Sequence, residues 1–443
     1  MAEAARGASQ LGDGKSEALV MHAKMNRAIH ATYMLSFLGD GCTGLFSFAL
    51  SLYISAMLDQ LGIVDPEREF WIGLVATGYG FVYPFSAVLL GKLSDRVGRR
   101  NSLLIAIAGF IFVNVFVLVF ATQPLHLLIA LMGVGLCFGF VFPVLEALMS
   151  ELSEPFGQKI HGRTLGIFMV AWSLGLTLGP LIGGIFATFL NFLVAFGYLI
   201  AHASLFAAIA LVFIPGSKTI KNYTNYFKGS AKQEEQVDFF FTNMPKARFR
   251  FYQISILLLP LVFAFCNQIL YVIYPAFGEK HVSGGIILDN ANPALVVGIL
   301  IFTLGVGRTI TFWHSGHMNQ NNFEKYIILS PAVMAASGFI IFVARTAEFL
   351  LPAFAIYGLS SGYQYAIGFI LLMEITRTGK GLKAGLYEGA IGIGTLASTL
   401  ISAFIGQADP SYPYLLSMLF ALAIAVILAV AYVHQHQALR KIP

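Results

Sequence analysis

Long apolar runs separated by short polar intervals make up most of the chain. Roughly 20 apolar residues cross a bilayer as a helix, and the sequence offers twelve runs of about that length. The predicted spans are 29–57, 70–90, 101–121, 125–150, 164–189, 192–214, 251–277, 293–313, 325–344, 348–373, 384–406 and 412–433. This pattern predicts an all-α membrane protein with twelve transmembrane helices.

The placement of charge gives these helices an orientation. Hydrophobic residues make up 57% of the chain and charged residues 11%, which excludes a soluble globular domain. If the N-terminus is cytoplasmic, only Arg68, Lys280 and Arg345 of the 27 Lys and Arg residues fall outside, as the positive-inside rule requires. We expect a multi-pass protein of the plasma (inner) membrane with both termini in the cytoplasm. Its basic loops then face membrane lipids, and no nucleic-acid partner is expected.

One polar interval divides the chain into halves. The predicted divisions are a cytoplasmic N-terminal tail (1–27), a six-helix bundle (28–214), a cytoplasmic linker (215–250), a second six-helix bundle (251–433) and a cytoplasmic C-terminal tail (434–443). Gly73 and Gly80 match Gly298 and Gly305 at one constant shift, as an old duplication would leave them. Two bundles related by a pseudo-twofold axis are therefore expected.

The most charged short segment, residues 91–100, joins the second and third predicted spans. Five of its ten residues are charged, so it must lie at the membrane surface. Its pattern, Gly-x-Leu-x-Asp-Arg-x-Gly-Arg-Arg, resembles the signature loop of the major facilitator superfamily of transporters. The resemblance implies the fold of that family and a cytoplasmic gating loop. The implied gating residues are Gly91, Asp95, Arg96, Gly98, Arg99 and Arg100, together with Glu151 as an acidic partner of Arg99, Arg100 or Arg163.

A run of small residues marks the fifth predicted span. Gly175, Gly179 and Gly183 recur every four residues, with Pro180 and Gly184 beside them, and such a face permits close helix packing. The run resembles a motif of facilitator exporters and antiporters. Two interpretations stay open: a signature of export, or a packing face that a transporter of either direction can carry.

Two carboxylates lie within predicted spans, where an ionisable side chain is costly and is a functional candidate. Asp40 shares a helix face with Ser36, Thr43, Ser47 and Ser51. Its surroundings resemble the first-helix acid of facilitator exporters, which takes up a proton, although Ile129 replaces an arginine that such exporters often carry in the fourth helix. Asp40 and Glu388 are the candidates for proton or ion coupling. Asp40 could instead make a structural hydrogen bond, and Glu388 could pair with Arg308 or residues 91–100.

Polar and aromatic stripes on other spans predict the lining of a substrate cavity. Its predicted members are Tyr79, Tyr83, Trp172, Asn267, Gln268, Tyr271, Tyr274, Tyr357, Gln364 and Tyr365. The ninth and twelfth spans are almost wholly apolar, which fits the peripheral place that the resemblance implies for the third, sixth, ninth and twelfth helices. An aromatic, amide-rich lining with few fixed charges suits an apolar, aromatic or weakly cationic solute.

The favoured function is a secondary transporter that works by alternating access and exports a small, largely apolar or weakly cationic compound in exchange for protons. An alternative is uptake of a sugar or other small metabolite by symport or uniport. A third is a sensor built on a transporter fold. No clustered constellation of reactive side chains predicts an enzyme. We expect no cofactor, no metal site and a monomer.

Overall fold

The computed structural model describes residues 13–153, 158–220, 222–223, 244–318, 322–375 and 380–440, and nearly all of them are helical. The first half contributes α1 (Asp13–Gln60), α2 (Glu67–Val97), α3 (Arg99–Phe120), α4 (Pro124–Ser153), α5 (Gln158–Phe189) and α6 (Phe192–Phe213). The second half contributes α7 (Lys246–His281), α8 (Pro293–Ser315), α9 (Phe323–Val343), α10 (Ala347–Ile375), α11 (Lys380–Ile405) and α12 (Tyr412–Leu439). These are the two six-helix bundles that the sequence predicts.

Helix α7 contains one irregular turn. Residues Ile269–Ile273 form a π-helix between two α-helical segments, Lys246–Gln268 and Tyr274–His281. Elsewhere in the described part of the chain, extended pairing is limited to an isolated bridge between Ser283 and Thr346.

Eleven helices among the described residues are long and apolar enough to cross a membrane. They are all of the named helices except α10. Helix α10 has 29 residues, but Ser360, Ser361 and Gln364 interrupt its apolar run. Length and apolarity thus confirm eleven of the predicted spans, and the tenth stays a prediction.

Two helices extend beyond the predicted spans. Helix α1 begins at Asp13, inside the predicted N-terminal tail, because residues 15–27 are mostly good helix formers without Gly or Pro. Helix α12 continues to Leu439, inside the predicted C-terminal tail. The predicted linker ends in helix, since α7 begins at Lys246, and its residues 224–243 lie outside the described part of the chain.

One long seam between the halves joins α2 to α11. Gly73 lies against Ala403, and a Cβ added to this glycine would fall 2.4 Å from the Ala403 Cα atom. Gly80 lies against Leu396, where an added Cβ would fall 2.5 Å from the backbone nitrogen. The two helices therefore touch through their backbones.

A second seam joins α5 to α8 in the same manner. Gly298 packs on Pro180, with an added Cβ 2.8 Å from the proline carbonyl oxygen, and Gly305 packs on Thr177. The glycine pairs that the repeat places in register thus occupy corresponding positions in the two seams. The two seams therefore join α2, α5, α8 and α11 across the boundary between the halves.

Candidate functional site

A cavity of about 120 Å³ lies between the halves, which is room for several water molecules. Helices α1, α2, α4, α5, α7, α8, α10 and α11 line it, and α3, α6, α9 and α12 contribute none of its described walls. Its polar and charged lining consists of Ser36, Asp40, Thr43, Ser47, Tyr79, Tyr83, Glu146, Trp172, Asn267, Gln268, Tyr271, Arg308, Tyr365, Glu388 and Thr395.

Asp40 lies on the cavity-facing stripe of α1. Its side chain is 2% exposed, and its Oδ2 atom has no hydrogen-bond partner among the described residues. Ser36, Thr43 and Ser47 share the cavity wall with it. Ser51, at the far end of the same stripe, instead accepts a hydrogen bond of 3.2 Å from the backbone N–H of Ala276 on α7.

Glu146 and Glu388 approach each other across the boundary between the halves. The Tyr365 hydroxyl lies 2.8 Å from Glu146 Oε1 and 3.4 Å from Glu388 Oε1. The Tyr83 hydroxyl donates to Glu388 Oε2. Each acid therefore contacts a tyrosine of the other half, because Tyr83 and Glu146 belong to the first bundle and Tyr365 and Glu388 to the second. Glu146 Oε2 has no partner among the described residues.

Arg308 is fully buried on α8 and faces the same cavity. Its Nε atom donates to Ser173 Oγ at 3.0 Å. The centre of its guanidinium group lies 4.7 Å from the Trp172 ring and 5.5 Å from the Tyr271 ring, as in cation–π contacts. Neither Nη atom has a hydrogen-bond partner of good geometry within the described residues. Glu388 is thus bound to tyrosines and not to Arg308.

Seven of the ten predicted cavity residues line the cavity: Tyr79, Tyr83, Trp172, Asn267, Gln268, Tyr271 and Tyr365. Tyr274 does not. It packs against Phe354 and Tyr414, with ring centroids 5.0 Å and 5.3 Å away. The π-helical turn before it adds one residue, and each helical residue rotates the chain by about 100°. Tyr274 is thereby turned off the face that carries Tyr271.

Tyr357 and Gln364 also lie away from the cavity. The Tyr357 hydroxyl pairs with Ser417 on α12 at 2.9 Å, and Gln364 Nε2 donates to Met334 on α9 at 3.5 Å. Gln364 and Tyr365 are adjacent in sequence and point about 100° apart on a helix, and of the two it is Tyr365 that lines the cavity. Tyr357 and Gln364, both predicted as cavity residues, are therefore not among its described lining.

The segment 91–100 consists of the last residues of α2, a tight turn at Gly98 and the first residues of α3. Gly98 has φ of 95°, a conformation that favours glycine, and its N–H donates to the Ser94 carbonyl at 2.9 Å. Arg99 pairs with Asp95 and with Glu151 on α4, each at 2.6 Å, and contacts the Ser94 hydroxyl. The described partners of Arg99 are therefore all in the first bundle.

The other predicted gating residues have different surroundings. Gly91 is buried near the end of α2, Arg96 is exposed, and Arg100 is half-buried at the start of α3. Their role in gating stays a prediction.

The glycines of the α5 run face α1. An added Cβ would fall 2.0 Å from the Phe37 carbonyl oxygen at Gly175 and 2.4 Å from the Leu45 nitrogen at Gly179. Gly183 approaches Phe48 in the same way, whereas Gly184 faces α8. The run therefore packs α5 against both α1 and α8, and its link to export stays a prediction.

Sequence reasoning missed Glu146 and Arg308. Both were placed near the ends of their spans, where charge is common, but α4 continues to Ser153 and α8 to Ser315. A signal was available, because each lies more than one helical turn inside an apolar run. Ile129, at the position where an arginine was expected, is 50% exposed and not a cavity residue. Among the described residues, no group of His, Cys, Asp and Glu side chains could hold a metal ion.

The arrangement of two bundles around a charged central cavity agrees with the sequence comparison. The sequence model of the Major Facilitator Superfamily matches residues 33–323. The chain belongs to this superfamily. It is therefore a membrane transporter by family, with the facilitator fold.

Individual facilitators resemble the chain to different extents. It is 23% identical over 373 residues to the staphyloferrin B transporter of Staphylococcus aureus, which covers 82% of this chain and 81% of that protein. It is 30% identical over 203 residues to the multidrug resistance protein MdtG of Proteus mirabilis, which covers 44% of this chain and 47% of MdtG.

Solved structures share the facilitator fold. A POT family transporter in complex with 5-aminolevulinic acid superposes with a TM-score of 0.70 at 12% identity, over 91% of this chain and 96% of that one. The human organic anion transporter MFSD10 superposes with a TM-score of 0.62 at 13% identity, over 91% and 99%. At this identity the likeness concerns the fold alone.

Proposed function

We propose that this facilitator exports a small organic compound in exchange for protons. The observation that carries the proposal is Asp40, a buried carboxylate that faces the cavity with one oxygen free of partners among the described residues. A proton or a cationic group of the solute can satisfy that oxygen, but not both together. Because the proton and the solute compete for the same carboxylate, binding of one releases the other, and the two are exchanged across the membrane. The names of MdtG and of the multi-drug resistance efflux pump PmrA homolog of Lactococcus lactis favour the outward direction.

The two bundles supply the movement. In alternating access, the halves rock about a central site near the bilayer midplane. Glu146 and Glu388 belong to different halves and meet in the cavity. Rocking therefore changes the surroundings of both acids at once, which makes this pair a second candidate for proton exchange.

The proposal predicts that Asp40→Asn abolishes accumulation driven by a pH gradient but spares exchange down a concentration gradient. Compounds are first selected by thermal unfolding of the purified protein, since a ligand at 100 times its dissociation constant stabilises by about 2.7 kcal/mol if it does not bind the unfolded state. Their accumulation is then measured in liposomes with and without an imposed pH gradient.

The matched control is Asp289→Asn, which removes the same charge from an exposed loop and should leave accumulation unchanged. If Asp40→Asn protein still concentrates its substrate as the unaltered protein does, Asp40 is structural and the proposal fails.

Uptake with protons is the second candidate, and Arg308 favours it. A solute whose anionic group binds this arginine would neutralise its charge, and protonation of the neighbouring acids would then assist binding. Such a solute binds more tightly in acid, whereas a solute exchanged for protons binds more weakly in acid. The pH dependence of thermal stabilisation therefore separates the two directions of coupling.

A further inference from the structure

Arg308 is a buried cation with most of its hydrogen-bonding capacity unused. A guanidinium group has five N–H donors. Ser173 takes the one on Nε, and the four on the Nη atoms have no partner of good geometry among the described residues. A fully buried charge without such partners is costly unless a ligand supplies them.

The surroundings of Arg308 fix how a ligand can approach. Trp172 and Tyr271 lie by its guanidinium group, and Ser173 holds Nε. Trp172 is itself stacked on Tyr365, with ring centroids 4.8 Å apart and planes 12° apart. The Tyr271 hydroxyl interacts with the guanidinium group, and the two Nη atoms have no hydrogen bond of good geometry among the described residues, so they can bind a ligand. A planar fork of this kind matches the two oxygens of a carboxylate.

The acidic side chains of the cavity do not form ion pairs with the Nη atoms of Arg308. No carboxylate of the described residues lies within 4.0 Å of Arg308 to form an ion pair, although Asp40, Glu146 and Glu388 line the same cavity. Asp40 Oδ2 is likewise without a partner in the described part of the chain, whereas the Glu146 carboxyl interacts with that of Glu388. The cavity thus presents open donors on Arg308 and an open acceptor on Asp40.

We propose that the transported solute is amphoteric: it carries a carboxylate that binds the Nη edge of Arg308 and an ammonium group that binds Asp40. Its body is aromatic or apolar, because Phe142, Phe168 and Phe263 complete the wall. This inference rests on the proposed function for the competition between ammonium and proton at Asp40. Its carboxylate half rests on Arg308 alone.

Three indole compounds test each group of the solute separately. L-Tryptophan has both charged groups, L-tryptophanamide lacks the carboxylate, and indole-3-propionate lacks the ammonium group. Their dissociation constants are measured by calorimetry on the full-length protein in lipid nanodiscs. L-Tryptophan should bind at least about tenfold more tightly than either analogue, a difference of about 1.4 kcal/mol for each charged group.

Substitutions of Arg308 test whether this arginine causes the preference for a solute with a carboxylate. Arg308→Gln should bring the ratio of the dissociation constants of L-tryptophanamide and L-tryptophan close to one. Arg308→Lys should restore part of the preference for L-tryptophan, because it returns the positive charge without the planar fork. Ser173→Ala leaves the arginine in place and should reduce the ratio in part, which keeps the test valid if Arg308→Gln does not fold. The matched control is Arg345→Gln in the loop between α9 and α10, which should leave the ratio unchanged.

Other outcomes would overturn the inference. If none of the three compounds binds, or if the amide binds as well as the amino acid, the solute has no carboxylate at Arg308. A ratio unchanged by Arg308→Gln makes the arginine structural. If sodium chloride stabilises the protein more than sodium gluconate does, and the indole compounds do not, Arg308 holds an inorganic anion.

Asp40→Asn distinguishes failure of this inference from failure of the proposed function. The Asp40 carboxylate interacts electrostatically with Arg308 on α8, Glu388 on α11, Glu146 on α4 and Tyr79 on α2. Because several of these groups can titrate, the dissociation constants are measured from pH 5 to pH 8 in each variant. Both proposals are supported if binding to Asp40→Asn no longer depends on pH while the preference for L-tryptophan over L-tryptophanamide is retained. An unchanged pH dependence in Asp40→Asn removes proton exchange at Asp40 and the ammonium site, but the Arg308 ratio still decides the carboxylate site.

Discussion

Two buried arginines of this facilitator differ in how fully their donors are used. Arg99 contacts two carboxylates and a hydroxyl in the turn between α2 and α3. Arg308 has one hydroxyl partner and faces a cavity. An arginine whose charge is neutralised within the protein holds elements together. One whose Nη atoms have no hydrogen bond of good geometry among the described residues is suited to a ligand.

Asp95→Asn should reduce transport while changing the free energy of unfolding by less than about 1 kcal/mol. The reason for the small effect on stability is that Asp95 is 47% exposed and Arg99 keeps Glu151 when Asp95 loses its charge. The measurements are thermal unfolding and flux in liposomes. The control is Lys92→Gln, an exposed change in the same segment. Unchanged flux in Asp95→Asn would remove the gating role of this carboxylate.

The sequence allowed some cavity residues to be predicted and concealed others. Asp40 stands in the middle of a long apolar run, so its burial follows from its position. Arg308 looked like a charge at the end of a span, because basic residues usually mark that boundary. Helix α8 continues to Ser315 and is capped by Gly316, so Arg308 lies about two turns inside the helix.

At the scale of helices, the repeated glycines determine how closely the halves approach. Gly73 and Gly80 in one seam correspond to Gly298 and Gly305 in the other. Their equivalence could be predicted from spacing alone, but their partners could not. Ala403 and Thr177 are ordinary residues in sequence, and only the tertiary fold brings them against a glycine.

Gly80→Ala should destabilise the protein by about 1–3 kcal/mol, because the new methyl group would overlap the Leu396 backbone. Gly197→Ala on α6 is the matched control. No heavy atom lies within 4 Å of its added Cβ, so replacing a helical glycine there should stabilise by about 0.5–1 kcal/mol. Thermal unfolding of both variants measures the difference. Equal midpoints would mean that α2 and α11 are not in close contact.

At the scale of the whole molecule, the face opposite the 91–100 turn is closed by contacts between the halves. Lys280 on α7 pairs with Asp59 on α1 at 3.0 Å. The Ala276 N–H donates to Ser51 at 3.2 Å one turn deeper. The ion pair is partly exposed and contributes little on its own, but both contacts must separate if the cavity is to open at this face.

A disulfide between Ser51→Cys and Ala276→Cys should therefore stop transport under oxidising conditions and release it when a reductant is added. The introduced pair is the one expected to form a bond, because its two positions contact each other directly, whereas the native Cys42, Cys137 and Cys266 are free cysteines. Flux in liposomes is measured before and after reduction, with each single cysteine variant as a control. Full transport with the cross-link formed would show that the halves do not part here.

The π-helical turn of α7 implies that helix length, and not only residue identity, determines which side chains line the cavity. Such a turn accommodates one residue more than an α-helical turn. If the same residues formed a regular α-helix instead, every later residue of α7 would be rotated by about 100° relative to its present position. Tyr274 would then approach the cavity without any substitution. A related chain of the same length without this wide turn would therefore present other side chains to its cavity, although a comparison of matched residues reported no difference.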